Sequence, residues 1–330
     1  MKSIFRSRAL RGSVFAVPIV ATSVAMGVVA GPASAKAKNK PISVEVGYIG
    51  TQNIFTGPEG FAYSKGLLQK WLKPYKITIK GTAAFANGPL LTAALVGGSL
   101  QLGEIGDTPA LVGESPASGS GDDTRIINQS QINLQSVLIA QKGYTSLSQL
   151  SGKGIYRQPQ SYMDRWVQAL LQSKGLLSNV SLAPGLLASF IPAFNSGQIP
   201  DLVLPPSDLP LIKAKYVTLA NSNQTPAWSG TSVTEITSST LATDPGFPAA
   251  WNYVRDEAIT YAKSHQQAYY TFEGKAEETP AAVAKQYYPL IDNPIAPFSS
   301  VGITHLKGTL AFLVSQHEAT NFSLSSWEAK

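Results

Sequence analysis

Residues 88–113 read GPLLTAALVGGSLQLGEIGDTPALVG, and the switch of periodicity inside that stretch decides the fold. Asn87 is suited to cap a helix and Pro89 to stand in its first turn, so LLTAALVGG reads as a short apolar helix closed by glycines. LQLGEIG then runs as a strand through Leu100, Leu102 and Ile105 and halts at Gly106-Asp107-Thr108-Pro109, where Thr108-Pro109 opens the next helix in the same way. A strand that ends directly in a helix start is the repeating unit of an α/β fold. The turn also poses a question. Asp107 is either a catalytic acid, or part of a loop that leaves backbone N–H groups for a ligand.

The pattern extends in both directions. ISVEVGYIG (42–50) alternates and then runs apolar, as a buried strand does, and EGFAYSKGLLQKWL spaces Phe61, Leu67, Leu68, Trp71 and Leu72 as one helix face. YKITIKGTAAF (75–85) is a second alternating strand; TRIINQSQ and LQSVLIAQK supply two more. This order predicts an open, mostly parallel sheet with helices on both faces. A second unit of the same style begins after Lys142, with SLSQLSGKGIYRQ, VSLAPGL and DLVLPP as strands and PQSYMDRWVQALLQSKG and ASFIPAFNSGQI as helices. From about Thr231, TSVTEIT leads into long helical stretches, PAAWNYVRDEAITYAKSHQQAYYTF and ETPAAVAKQYYPLI.

The 330 residues suffice for two ordinary cores, and 44% are hydrophobic, which excludes a disordered chain. Only 14% are charged, against roughly a quarter in a typical soluble domain. Residues 1–35 stand apart. A basic MKSIFRSRALRG, an apolar SVFAVPIVATSVAMGVVAG and the small-residue site Ala33-Ser34-Ala35 form the three-part layout of a cleaved secretory signal peptide. That segment carries four bases and no acid, so its removal lowers the formal charge from +6 to +2, and nucleic acid loses its support as a partner. The absence of cysteine excludes disulfides, thiolate metal sites, a cysteine nucleophile and a lipid-modified cysteine anchor. A monomer free in the periplasm is expected.

Three loops share one design, in which a strand ends and a helix opens, namely Asn87-Gly88-Pro89, Gly106–Pro109 and Gln158–Tyr162, and Gln52–Gly57 is a fourth, less regular one. Helix N-termini present unpaired N–H donors and partial positive charge, so several aimed at one cleft bind an anion without lysines. In open α/β sheets that cleft lies beyond the carboxyl ends of the strands. Each loop taken singly is equally an ordinary helix cap. Catalytic patterns are lacking. His265, His305 and His317 show no metal-ligand spacing, no nucleophile elbow, Walker loop or dinucleotide-binding turn is present, and Asp122-Asp123 and Glu277-Glu278 read as solvated surface pairs. No cofactor or metal is expected. Tyr48, Phe55, Tyr162 and Trp228 are the aromatics placed to wall a ligand cleft, with core packing as the alternative.

Taken together, GPLLTAALVGGSLQLGEIGDTPALVG, the SLSQLSGKGI entry to the second unit, SYMDRWVQALLQSKGL and AFNSGQIPDLV resemble the bacterial substrate-binding proteins for aliphatic sulfonates, taurine and nitrate that serve ABC importers. The resemblance implies a two-lobed periplasmic binding protein of type II, an α/β fold of open, mostly parallel sheets. Lobe one would comprise 41–136 with a return and C-terminal helices over 231–330, and lobe two 137–230. It implies capture of a small organic anion, sulfonate-like, taurine or nitrate, and delivery to an ABC permease in the inner membrane. The ligand contacts it implies are Gln52, Asn53, Gly88, Asp107, Thr108, Ser161 and Tyr162. An enzyme or a ligand sensor on the same scaffold, acting on a small molecule such as a pyrimidine, is the alternative. Two departures stand out. DLVLPPSDLP (201–210) lacks the tryptophans that relatives often carry there, and no arginine except Arg157 falls near the contact loops, although a sulfonate gains from a fixed cation.

Overall fold

The computed structural model describes residues 40–119 and 123–329, which belong to one compact unit; the expected signal peptide and Asp122 lie outside them. The chain opens with β1 (Ile42–Ile49), α1 (Gly57–Ser64), α2 (Leu67–Leu72), β2 (Ile77–Phe85), α3 (Gly88–Val96), β3 (Leu102–Gly106), α4 (Asp107–Glu114) and β4 (Thr124–Leu134). It continues with β5 (Val137–Gln141), β6 (Gly154–Arg157), α5 (Tyr162–Ser173), β7 (Ser181–Pro184), α6 (Leu187–Asn195), β8 (Asp201–Leu204) and β9 (Tyr216–Asn221). β10 (Gly230–Thr237) precedes α7 (Ser238–Thr243), α8 (Phe247–Ser264), α9 (Gln266–Ala276), α10 (Ala281–Tyr287), α11 (Ser300–Ser315) and α12 (Leu324–Trp327).

The first sheet has the order β2-β1-β3-β10-β4. β1 runs parallel to β2 and β3, while β10, arriving from the other half of the chain, is antiparallel to β3 and β4. Four strands thus share one direction, and their carboxyl ends carry the loops into α1, α3 and α4. Alternation along the strands sends Val44, Val46, Tyr48, Leu102 and Ile236 toward Phe247, Trp251 and Val254 of α8. Ile105 and Val233 face Leu91, Leu95 and Leu111, and Leu306 and Leu310 of α11, on the opposite side. Burying each such side chain stabilises the fold by about 1.5–3 kcal/mol.

After β4 the chain passes into a second layer in which β5 is flanked by β8 and β9, both antiparallel to it, and β6 pairs with β7 in parallel. Met163, Trp166, Val167 and Leu170 of α5 pack against Leu138, Ile155 and Val203 of this layer. The antiparallel pairing of β5 with β8 and β9 departs from the expected mostly parallel sheet. Two expected single helices are pairs. Gly66, at φ 69°, breaks α1 from α2. His265, at φ −126° and ψ 40°, leaves helical geometry between α8 and α9, with its ring stacked 4.1 Å from Tyr261. No described helix is long and apolar enough to cross a membrane.

Candidate functional site

The site is built outward from the turn that joins β3 to α4. Asp107 is fully buried, and donors surround its carboxylate. The Thr231 N–H and the Thr309 hydroxyl donate to Oδ2 at 3.2 and 3.0 Å, the Thr108 hydroxyl donates to Oδ1 at 3.1 Å, and Arg165 Nη2 lies 3.7 Å away. Arg165, only 3% exposed, also donates to the Ser229 carbonyl at 3.1 Å. One carboxylate therefore ties the β3–α4 turn to β10, to α5 of the second layer and to α11. His305 belongs to the same knot, with Nδ1 3.4 Å from the Thr231 hydroxyl; burial holds its pKa below the usual value, with Asp107 opposing. No solvent reaches Asp107, so it acts as a brace and not as an acid.

The other expected ligand contacts fall into two groups. Gly88, Thr108 and Tyr162 gather round the turn. A Cβ on Gly88 would meet Pro109 Cγ at 2.2 Å, so only glycine lets α3 start against α4. Tyr162, the first residue of α5, lays its ring against two glycines: a Cβ would lie 3.7 Å from it at Gly106 and 2.6 Å from its Cβ at Gly230. Gln52 and Asn53 sit instead on the β1–α1 loop, where the Gln52 carbonyl accepts from the Tyr48 hydroxyl at 3.2 Å and Asn53 is exposed. Tyr48 and Phe55 are both core residues, with ring centroids 5.6 Å apart.

At three of the four loops a side chain holds one of the helix-start N–H groups. Asn87 accepts from Leu90 N at 3.0 Å, Ser161 from Asp164 N at 3.1 Å, and Glu273 of α9 from Gly57 N at 2.8 Å. The Ser161 hydroxyl also donates to the Gln158 carbonyl at 2.8 Å. The side chains of Asp107, Thr108 and Ser161 thus hold the loops, with Asp107 orienting the turn as expected. Arg157 is likewise engaged, in an ion pair with Asp164 at 3.1 Å.

A group of carboxylates that pattern reading missed lies beyond the turn. Glu104 shares a face of β3 with Leu102 and Gly106, opposite Tyr48 of β1 and Thr234 of β10. Burial first, then Glu59 and Glu273, push its pKa well above the usual carboxylate range, against the pull of Arg255. Glu273 is pushed up to about 8 by burial, with Glu277 and Glu59 adding to it, and Glu277 to about 7 by burial and Asp208. Asp208, in the turn Pro206–Leu211, is pushed up to about 6 by burial, with Glu278 adding to it. Glu277, expected to be solvated at the surface, is instead enclosed. Tyr288 closes the ring: its hydroxyl lies 2.7 Å from that of Ser207, and burial, Glu277 and Tyr162 all raise its pKa.

Glu104, Glu277, Asp208 and Tyr162 each keep some solvent-accessible surface although protein surrounds them on nearly every side. They come from β3, from α5 and the Pro206–Leu211 turn of the second layer, and from the end of α9. Thr279 clamps the two sides together, donating to the Ser207 carbonyl at 3.2 Å. The one sequence signal for this group was local: a lone carboxylate on the inward face of an apolar strand, in LGEIG.

A mixed α/β pair of layers, with the loops into α1, α3 and α4 at the carboxyl ends of the first sheet, defines the class: this is the periplasmic binding protein fold. The alkanesulfonate-binding protein SsuA of Xanthomonas axonopodis pv. citri, solved bound to MOPS, superposes with a TM-score of 0.70 at 19% identity, over 88% of this chain and 98% of that one. A cysteine-to-serine mutant of DszB, solved in complex with biphenyl-2-sulfinic acid, has the same fold, with a TM-score of 0.63 at 12% identity over 86% of this chain and 96% of that one. A Brucella abortus (strain 2308) protein that carries the name of a binding protein is 31% identical over 169 residues, 51% of this chain and 49% of its own length. The chain thus spans about half the length of the curated relatives it matches. No family model matches it.

Proposed function

We propose that this protein captures a small solute between its two lobes and hands it to an ABC importer in the bacterial inner membrane. The lobes are 41–136 with 231–330, and 137–230, closing by hinge motion. The observation that carries this reading is the fold, in which the β3–α4 turn of the first sheet meets α5 of the second layer through Asp107 and Arg165. The sulfonate-binding relative makes sulfonates the first ligands to test. Gln52, Asn53, Gly88, Asp107, Thr108, Ser161 and Tyr162 are the contacts to test.

An enzymatic role on the same scaffold has less to build on. Whatever a cysteine does in DszB, this chain has no cysteine with which to do it. The test is thermal unfolding of the purified protein against sulfonates, nitrate, amines and pyrimidines. A true ligand at a hundred times its Kd adds about 2.7 kcal/mol, and the signal is recovered unchanged after dialysis. Turnover of the bound compound would refute the capture reading.

A further inference from the structure

We propose that the turn Pro206–Leu211 is a releasable catch between the lobes: Ser207, gripped by Thr279 and Tyr288 of the first lobe, holds the cleft closed and so sets how long a captured solute stays. The inference rests on the solute-capture reading and concerns the regulation of its cleft.

The sheet fixes the place of this turn. Leu204, the last residue of β8, pairs with Val137, the first residue of β5 after the chain crosses from the first layer. The turn therefore leaves the second layer at the end that faces the first. The pivot lies at the same end. Ser136 N donates to the Ser222 hydroxyl and Ser222 N to the Ser136 carbonyl, each at 2.9 Å, so the two crossings are tied side by side. DLVLPPSDLP, the stretch without the relatives' tryptophans, makes the turn stiff. Pro205, Pro206 and Pro210 fix three φ angles around Ser207, and Asp208 N donates to the Pro205 carbonyl at 3.0 Å.

Across the interface the Thr279 hydroxyl donates to the Ser207 carbonyl at 3.2 Å, and Tyr288 Oη lies 2.7 Å from Ser207 Oγ. Ser207 and Thr279 are both buried by this contact. The backbone that presents Thr279 is strained. Glu278 stands at φ 52°, a left-handed conformation that costs a non-glycine residue energy, and Thr279 N is drawn back onto the Gly274 carbonyl at 2.8 Å. Every bond of the catch is uncharged, between groups that water serves nearly as well once the lobes part, so each is worth little net and opens readily. The Arg165–Asp107 pair is the opposite case, since parting it strands buried charge. Arg165 also holds the Ser229 carbonyl, in the second crossing, so that tie belongs to the pivot.

Distances between spin labels read this out without a known ligand. The chain has no cysteine, and Lys70 and Lys174 are exposed, so Lys70→Cys with Lys174→Cys puts one label on each lobe. Pulsed electron resonance on the unliganded parent is expected to show a closed and an open population. Tyr288→Phe and Thr279→Val each remove one hydroxyl and keep the shape, and each is expected to lower the closed-to-open ratio roughly fivefold, the worth of one neutral hydrogen bond. Distances unchanged in both variants, with ethanesulfonate or 2-aminoethanesulfonate still drawing the labels together, would overturn the catch and leave solute capture standing. So would variants that melt earlier with the populations unmoved, because the contact would then be a fixed strut. A single distance that neither variant and neither compound moves would overturn both readings.

Discussion

Replacing Asp107 tests whether the β3–α4 turn is a brace. In Asp107→Ala, Arg165 keeps its bond to the Ser229 carbonyl but loses its counter-ion while only 3% exposed, and the Thr231 N–H and the Thr108 and Thr309 hydroxyls lose their acceptor. Breaking a buried pair by removing one partner costs about 3–5 kcal/mol. Each orphaned donor would cost about 1–3 kcal/mol if it stayed dry, although water entering the space left by the carboxylate offsets part of this. A net loss of about 4–5 kcal/mol is expected, a large share of the roughly 5–15 kcal/mol that holds a domain folded. Asp107→Asn keeps one acceptor oxygen and the shape, and is expected to lose about 2–3 kcal/mol. Urea unfolding followed by fluorescence gives both numbers, and a double-mutant cycle with Arg165→Met isolates the pair. If Asp107→Ala loses less than about 1.5 kcal/mol, the brace is refuted.

Two further outcomes follow from the same geometry. Gly230→Ala places a Cβ 2.6 Å from Tyr162 Cβ, a clash no rotation of the ring relieves, so the start of α5 must move away; ligand affinity is expected to fall at least tenfold with a stability loss of about 1–3 kcal/mol, and unchanged affinity would remove Tyr162 from the site. The unliganded protein is expected to lose stability as pH rises. Glu235 and Glu273 titrate at about 8, Glu277 and Asp201 at about 7 and Asp208 at about 6, all raised chiefly by burial above their unfolded values near 4. The native state therefore holds protons that the unfolded chain releases, a contribution complete below about pH 4 and lost through pH 6–8. Differential scanning calorimetry from pH 5 to 8.5 checks it; a midpoint that stays flat or climbs contradicts it.

Much of the scaffold was legible because it rests on local physics. The β–α alternation over residues 42–113 follows from apolar periodicity, and the starts of α3 and α5 from capping by Asn87 and Ser161. What was not legible depends on the partner across the fold. β9, YVTLAN, was not read as a strand, since as an edge partner of β5 only one of its six residues is buried. Asn87 and Ser161 could be read as caps from their neighbours, whereas Glu273, which takes the Gly57 N–H from 216 positions away, could not.

Glu104 and Asp107 show where that limit lies. Both are acids in GEIGDTPALVG, three residues apart, and nothing local distinguishes them. Asp107 falls opposite Thr231, Thr309 and Arg165, contributed by residues more than fifty positions away, and its charge is satisfied within the protein. Glu104 feels the charges of Glu59 and Glu273 against that of Arg255, and its Oε1 has no hydrogen-bond partner. Tertiary structure thus makes one of two similar carboxylates a brace between elements far apart in the chain and leaves an oxygen of the other without a donor.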